Sequence, residues 1–136
     1  MISGGVDVSD IQSLVPRDKL DNSGIETLKT INADEIEPIL GQLLEWIQDI
    51  NWPVAQELFH VLPRFHIKLV PHIKAVLNSH DDIWKCWVLC LIKELPAETV
   101  VLFLPEIKRV SEQPTTGEVE KGASKYAAEV VEMFGF

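Results

Sequence analysis

Apolar residues recur at helical spacing along most of the chain. Ile36, Ile39, Leu40, Leu43, Leu44 and Ile47 form one stripe, and Gln42, Glu45 and Gln48 fill the other face. This pattern predicts a helix from Asp34 or Pro38 to Asp49. Asn51-Trp52-Pro53 then turns the chain into a partner helix ending near Leu62, with Val54, Leu58 and Val61 or Leu62 inward and Pro63 as its stop. The plan repeats. Pro71 to Asn78 predicts a shorter helix, and Asn78-Ser79-His80-Asp81-Asp82 a turn in which Asp81 or Asp82 is the N-cap. Ile83 to Leu95 predicts a helix apolar nearly all round, and hence one buried on every side.

Pro38, Pro71 and Pro105 stand 33 and 34 residues apart, each opening a similar apolar run. A period in the thirties that alternates two helical patterns marks a stack of helix pairs. The third pair is less regular. Val100-Val101-Leu102-Phe103-Leu104 reads as a buried strand on propensity alone, whereas the repeat makes it helical on either side of Pro105. Ser111 to Gly117 reads as a loop. Thr115 and Glu118 have the spacing of a capping box, opening a last helix to Phe134. Its inward stripe is Val119, Ala123, Tyr126, Ala127, Val130, Val131 and Phe134, with Glu118, Glu120, Glu129 and Glu132 facing water. Ahead of the repeats, residues 1–15 read as a loosely held lead-in and Pro16 to Leu20 as a turn. Asn22 or Ser23 caps a short helix from Gly24 to Thr30. The expected fold is a single all-α domain over residues 1–136, a compact right-handed stack of about three antiparallel helix pairs.

At 136 residues and 46% apolar content the chain is long enough to bury a core. The net charge of −9 narrows its partners. Residues 1–51 hold ten acids against three bases. Phosphate backbones need clustered Lys and Arg, so neither a nucleic acid nor an anionic membrane surface is expected. Two readings of the acidic third stand, a solvated face that keeps the protein soluble and a patch for a basic partner. Asp34, Glu35 and Glu37 gather at a helix start, where they suit the helix dipole. Asp18 and Asp21 sit in a loop, and their role is left open.

No catalytic motif, Gly-rich phosphate loop or cofactor signature occurs, so no enzyme activity and no cofactor are expected. His60, His66 and His72 are spaced by six, unlike the ligand pairs of helical zinc sites, and no metal is expected either. Cys86 and Cys90 lie four apart on one apolar helix, which suits core packing in a reducing compartment. The N-terminus has no basic, then apolar, signal pattern and no apolar run approaches about 20 residues. A cytoplasmic protein is expected. Trp46, Trp52, Trp84 and Trp87 all fall in the two central pairs. They either fill gaps between packed helices or line a groove as anchors for a partner.

Taken together, Glu37-Pro38-Ile39-Leu40 with Leu43-Leu44-Glu45-Trp46, Asn51-Trp52-Pro53-Val54-Ala55, Val70-Pro71-His72-Ile73 and Asp81-Asp82-Ile83-Trp84-Lys85 resemble a bacterial family known as domain of unknown function 5071. Pro16-Arg17-Asp18-Lys19 and Pro114-Thr115 fit the same pattern, so the resemblance spans residues 12–134. It implies a small array of HEAT-type helical repeats and brings no catalytic residues. HEAT-like scaffolds present a face to another macromolecule, and some small acidic proteins of such families are suspected immunity or accessory partners of toxins. The expectation is a protein-interaction module that binds a basic partner through Asp34, Glu35, Glu37 and the tryptophans. The competing expectation is a small-molecule binder or enzyme with a pocket between helix pairs lined by Trp52, Trp84 and a histidine. Nothing in the pattern sets an oligomeric state.

Overall fold

A computed structural model describes residues 11–136, and the described residues are helical with no strand. The chain divides into two compact units that meet in sequence at Phe65 and His66. Residues 1–10, most of the expected lead-in, lie outside the described residues. Ile11, also in that segment, is buried.

The first unit holds α1 (Ile25–Leu28), α2 (Glu37–Glu45) and α3 (Pro53–Val61). Its apolar stripes close on one another as the sequence pattern predicts. Ile36, Ile39, Leu40, Leu43, Leu44 and Ile47 are buried, as are Val54, Leu58, Val61 and Leu62. A 3-10 turn over Trp46–Gln48 extends α2 and packs against α3, and α1 packs on α3 as well. The short first helix departs from expectation at its start. Gly24 is its N-cap, with no side-chain cap, because Ser23 turns back to hydrogen-bond Asp21. Gly24 is required for space: a Cβ there would lie 2.8 Å from the Leu14 carbonyl oxygen.

A 3-10 segment, Leu62–Leu69, kinked at His66, carries the chain onward. The second unit holds α4 (Val70–Leu77), α5 (Asp82–Ile92), α6 (Ala97–Val100), α7 (Leu104–Glu112), α8 (Thr116–Lys121) and α9 (Ala123–Phe134). Here α9 packs along both α7 and α5, and α4 packs on α5. Prolines sit in the first turn of α2, α3, α4 and α7, where no intrahelical N–H is lost and φ is already helical. Asp81 caps α5, its carboxylate accepting the Trp84 N–H at 3.0 Å.

Four expectations are corrected in this unit. Helix α5 is not buried on every side: Val88, Leu89, Leu91 and Ile92 are, but Ile83 is 49% exposed and Trp84, Trp87 and Cys90 are half-buried. An apolar composition says which faces can be buried, and the number of neighbours says how many are. The expected loop from Ser111 is shorter, since α7 runs to Glu112. The closing helix is two helices, separated by Gly122 at φ +93°. That break swings the register, leaving Val119 exposed while Ala123, Ala127 and Val130 are buried. Finally, Glu118 does not face water; it has no exposed surface at all.

A left-handed backbone costs a residue with a Cβ about 1–2 kcal/mol. Gly122→Ala is therefore expected to lower the urea midpoint by that stability with an unchanged m-value. A midpoint equal to wild type would mean that the α8–α9 junction relaxes freely.

Candidate functional site

Trp46 and Trp52 meet in the first unit. Trp46 opens the 3-10 turn that ends α2, and Trp52 is the residue before α3. Between them Asp49 shapes the turn: its side chain accepts the Asn51 N–H at 2.9 Å and its carbonyl the Trp52 N–H at 3.1 Å. Pro53 disfavours a helical conformation at Trp52, which is extended at φ −68°, ψ 133°. The two indoles pack edge to face, centroids 5.5 Å apart and planes at 68°. Both are half-buried and line an open cavity of about 360 Å³ with Val15, Pro16, Gln42 and Glu45.

The Pro16 side of this cleft is held by the loop that contains Asp18 and Asp21. Asp21 accepts the Ser23 hydroxyl at 2.6 Å, the Arg17 N–H at 2.8 Å and the Arg17 Nε at 3.2 Å. The Ser23 hydroxyl bond, then those from the Arg17 and Ser23 backbone, hold its carboxyl well below the usual carboxylate range. Asp18 accepts the Leu20 N–H at 2.9 Å. Lys19 then offers its carbonyl to the Val54 N–H at 3.1 Å, satisfying a first-turn donor of α3. The two loop acids thus brace the loop that follows Pro16, without lining the cleft themselves.

Asp34, Glu35 and Glu37 stand at the other end of α2. Asn32 caps the 3-10 turn Ala33–Glu35 by accepting the Asp34 N–H at 2.9 Å. The nine steps from Glu37 to Trp46 rise roughly 14 Å along a helix, so the acids and the tryptophan pair stand at opposite ends of α2. Trp84 and Trp87 are placed on α5 in the second unit. No histidine lines the Trp46–Trp52 cleft; His60 lines a different cavity with Lys29, Glu57 and Arg64.

The second unit holds a buried ionic cluster. Glu118 Oε1 accepts the Thr115 N–H at 2.8 Å and Arg109 Nη1 at 2.9 Å. Its Oε2 accepts Arg109 Nη2 at 2.5 Å and Lys85 Nζ at 2.8 Å. Lys85, 3% exposed, also reaches Asp82 Oδ1 at 3.0 Å. Two acids and two bases make the cluster neutral. Burial pushes the Glu118 carboxyl up, but the bonds from Arg109, Lys85 and the Thr115 N–H outweigh burial and hold it at about 2. Nearby, Cys86 Sγ lies 3.2 Å from the Lys121 carbonyl oxygen, and burial pushes its thiol up to about 11. Burial raises Cys90 as well. Neither is poised as a thiolate nucleophile.

The profile of a family described as Domain of unknown function (DUF5071) matches residues 14–131. The chain belongs to the DUF5071 family. No curated protein matched this DUF5071 chain. Among the described residues no three His, Cys, Asp or Glu side chains gather as a metal site requires, and no helix is long and apolar enough to cross a membrane.

Sequence reasoning missed the roles of Lys85, Arg109 and Arg64 in this DUF5071 protein. A lone lysine within the apolar run of α5 was a signal for a buried partner. Arg109 carried none, being one of several charges on a polar helix. Arg64 forks to the Leu28 and Ile31 carbonyl oxygens at 2.5 and 3.0 Å, ending α1 from more than thirty residues away.

Removing one member of a buried ion pair costs about 3–5 kcal/mol, and removing both together costs less. Glu118→Ala is expected to lose that much stability in urea unfolding, and Lys85→Met/Glu118→Leu to recover part of it. Because the Glu118 pKa is lowered on folding, its contribution is present above its unfolded value of about 4.5 and is lost as pH falls toward about 2. Glu118→Gln should flatten that segment of the stability–pH curve; an unchanged slope would remove Glu118 as its source.

Proposed function

We propose that this protein is a non-enzymatic interaction module that binds a basic protein. The observation that carries the reading is the open Trp46–Trp52 cleft, two half-buried indoles beside an exposed Glu45. Paired aromatics in a pre-formed recess are the usual anchors of a protein interface. The excess of acids in the first 51 residues supports a basic partner, since complementary charge speeds encounter. Asp34, Glu35 and Glu37, set apart from the cleft, serve that steering, and Trp84 and Trp87 offer further aromatic surface on α5. An inhibited toxin is one partner of suitable charge.

We read the helices as HEAT-like pairs in a right-handed stack. The prolines in the first turns of α2, α4 and α7 support a repeat, and such arrays work as scaffolds. Two free, electrically unactivated thiols suit a reducing, cytoplasmic setting.

The test is capture from a lysate of the source organism on immobilised wild-type and Trp52→Ala protein. A basic protein held by the wild type at low salt, shed at high salt and absent from the variant column is expected. Identical protein sets on both columns would overturn the role of the cleft. With that partner in hand, Asp34→Lys/Glu35→Lys/Glu37→Lys should slow association and weaken its salt dependence, whereas Trp52→Ala should act on dissociation.

A further inference from the structure

Resting on that reading, we infer that the Trp46–Trp52 cleft seats one arginine side chain of the partner, its guanidinium stacked on indole and paired with Glu45. The chemistry of the lining selects this occupant. Two indole rings inclined at 68° line the cavity, and a guanidinium is attracted to an aromatic face as a cation and stacks on it as a plane. Among the described residues no base lines the cavity, and its one acid is Glu45. Glu45 ends α2 immediately before Trp46, is exposed, and its carboxylate has no hydrogen-bond or ion-pair partner among the described residues. The Gln42 amide nitrogen is directed to Gln12 Oε1 at 3.3 Å and the Pro38 carbonyl at 3.5 Å. Its Oε1 accepts no bond among the described residues and is a second acceptor at the same wall.

Other occupants match this lining less well. An apolar side chain would cover the indoles but leave the Glu45 carboxylate partly desolvated and unpaired. A lysine would reach the carboxylate as a point charge without a plane to lay on the rings. A proline-rich segment would use the aromatic faces and Pro16 but make no use of the acid. At about 360 Å³ the cavity is at the small end of ligand pockets and has room for one long side chain.

The full chain, labelled with 15N, gives an indole N–H signal for each tryptophan, and Trp46→Phe and Trp52→Phe assign the two of interest. Three blocked tripeptides serve as probes, Gly-Arg-Gly, Gly-Lys-Gly and Gly-norleucine-Gly, with a blocked tetraproline as a fourth. The arginine peptide is expected to shift the Trp46 and Trp52 signals saturably and to leave those of Trp84 and Trp87 in place. Lysine should bind more weakly and norleucine should not saturate. Glu45→Gln should weaken arginine binding about threefold to fivefold, the scale of an exposed ion pair. Equal shifts from norleucine, preference for tetraproline, or indifference to Glu45→Gln would each overturn the arginine seat. Silence from all four peptides would overturn it too. In those cases the Trp52→Ala capture comparison still decides whether the cleft is a partner site, so the two ideas fail separately.

Discussion

A carboxylate removed from water needs a donor for each of its lone pairs, and Glu118 finds four. Thr115 supplies one from its own helix start, Lys85 one from α5, and Arg109 two from α7. Three elements of the second unit are therefore bound to one group. Such a cluster adds little net stability over a well-packed apolar equivalent, because the attraction mostly repays the desolvation of the charges. What it does impose is selectivity among arrangements: any register that moves α8 off α5 or α7 strands a charge in the interior. The apolar packing of α9 against α5 and α7 is permissive by comparison, since Ala123, Ala127 and Val130 would accept many neighbours. Lys93 and Glu129, paired at 2.7 Å, join α5 to α9 at a more exposed edge.

The first unit is ordered differently. Among the described residues its core is wholly apolar, from Ile25 and Leu28 through Leu43, Leu44 and Leu58 to Phe65. The polar work is done at the margins, by Asn32, Asp49, Asp21 and the Arg64 fork. Each satisfies backbone groups where a short helix begins or ends. With α1, α2 and α3 each nine residues or fewer, such ends are a large part of the described structure. The Trp46–Trp52 cleft is a product of this economy, since the turn that reverses the chain also brings two indoles together.

The chemistry of the two units follows from those differences. The ionic cluster in the second is saturated internally, and the buried thiol beside it is held protonated; both belong to the architecture. The first unit leaves an exposed acid beside two half-buried indoles that line an open cavity. That contrast is why a binding role is proposed for the cleft and not for the more highly charged group of residues.

Local rules made much of the protein legible in sequence. Helical periodicity, prolines in first turns, the Asp81 cap and the Thr115–Glu118 capping box depend on residues within one or two turns of each other, and all are realised. The Gly122 break was missed, although glycine is the residue that the left-handed bend needs, because nothing local separates a tolerated glycine from a required one. Burial of charge was missed for a different reason. Whether Glu118 meets water depends on Lys85, 33 positions away, and only the folded chain joins those positions. The meeting of Trp46 and Trp52 lies between these cases: six residues and a Pro53 turn are local, but a cleft also needs the Val15–Pro16 wall from an earlier loop. Sequence alone thus determined the helices and their caps, which short-range sterics and hydrogen bonding decide. Tertiary structure decided which charges are buried and which aromatics stay open, because burial is a property of neighbours that the chain brings from afar.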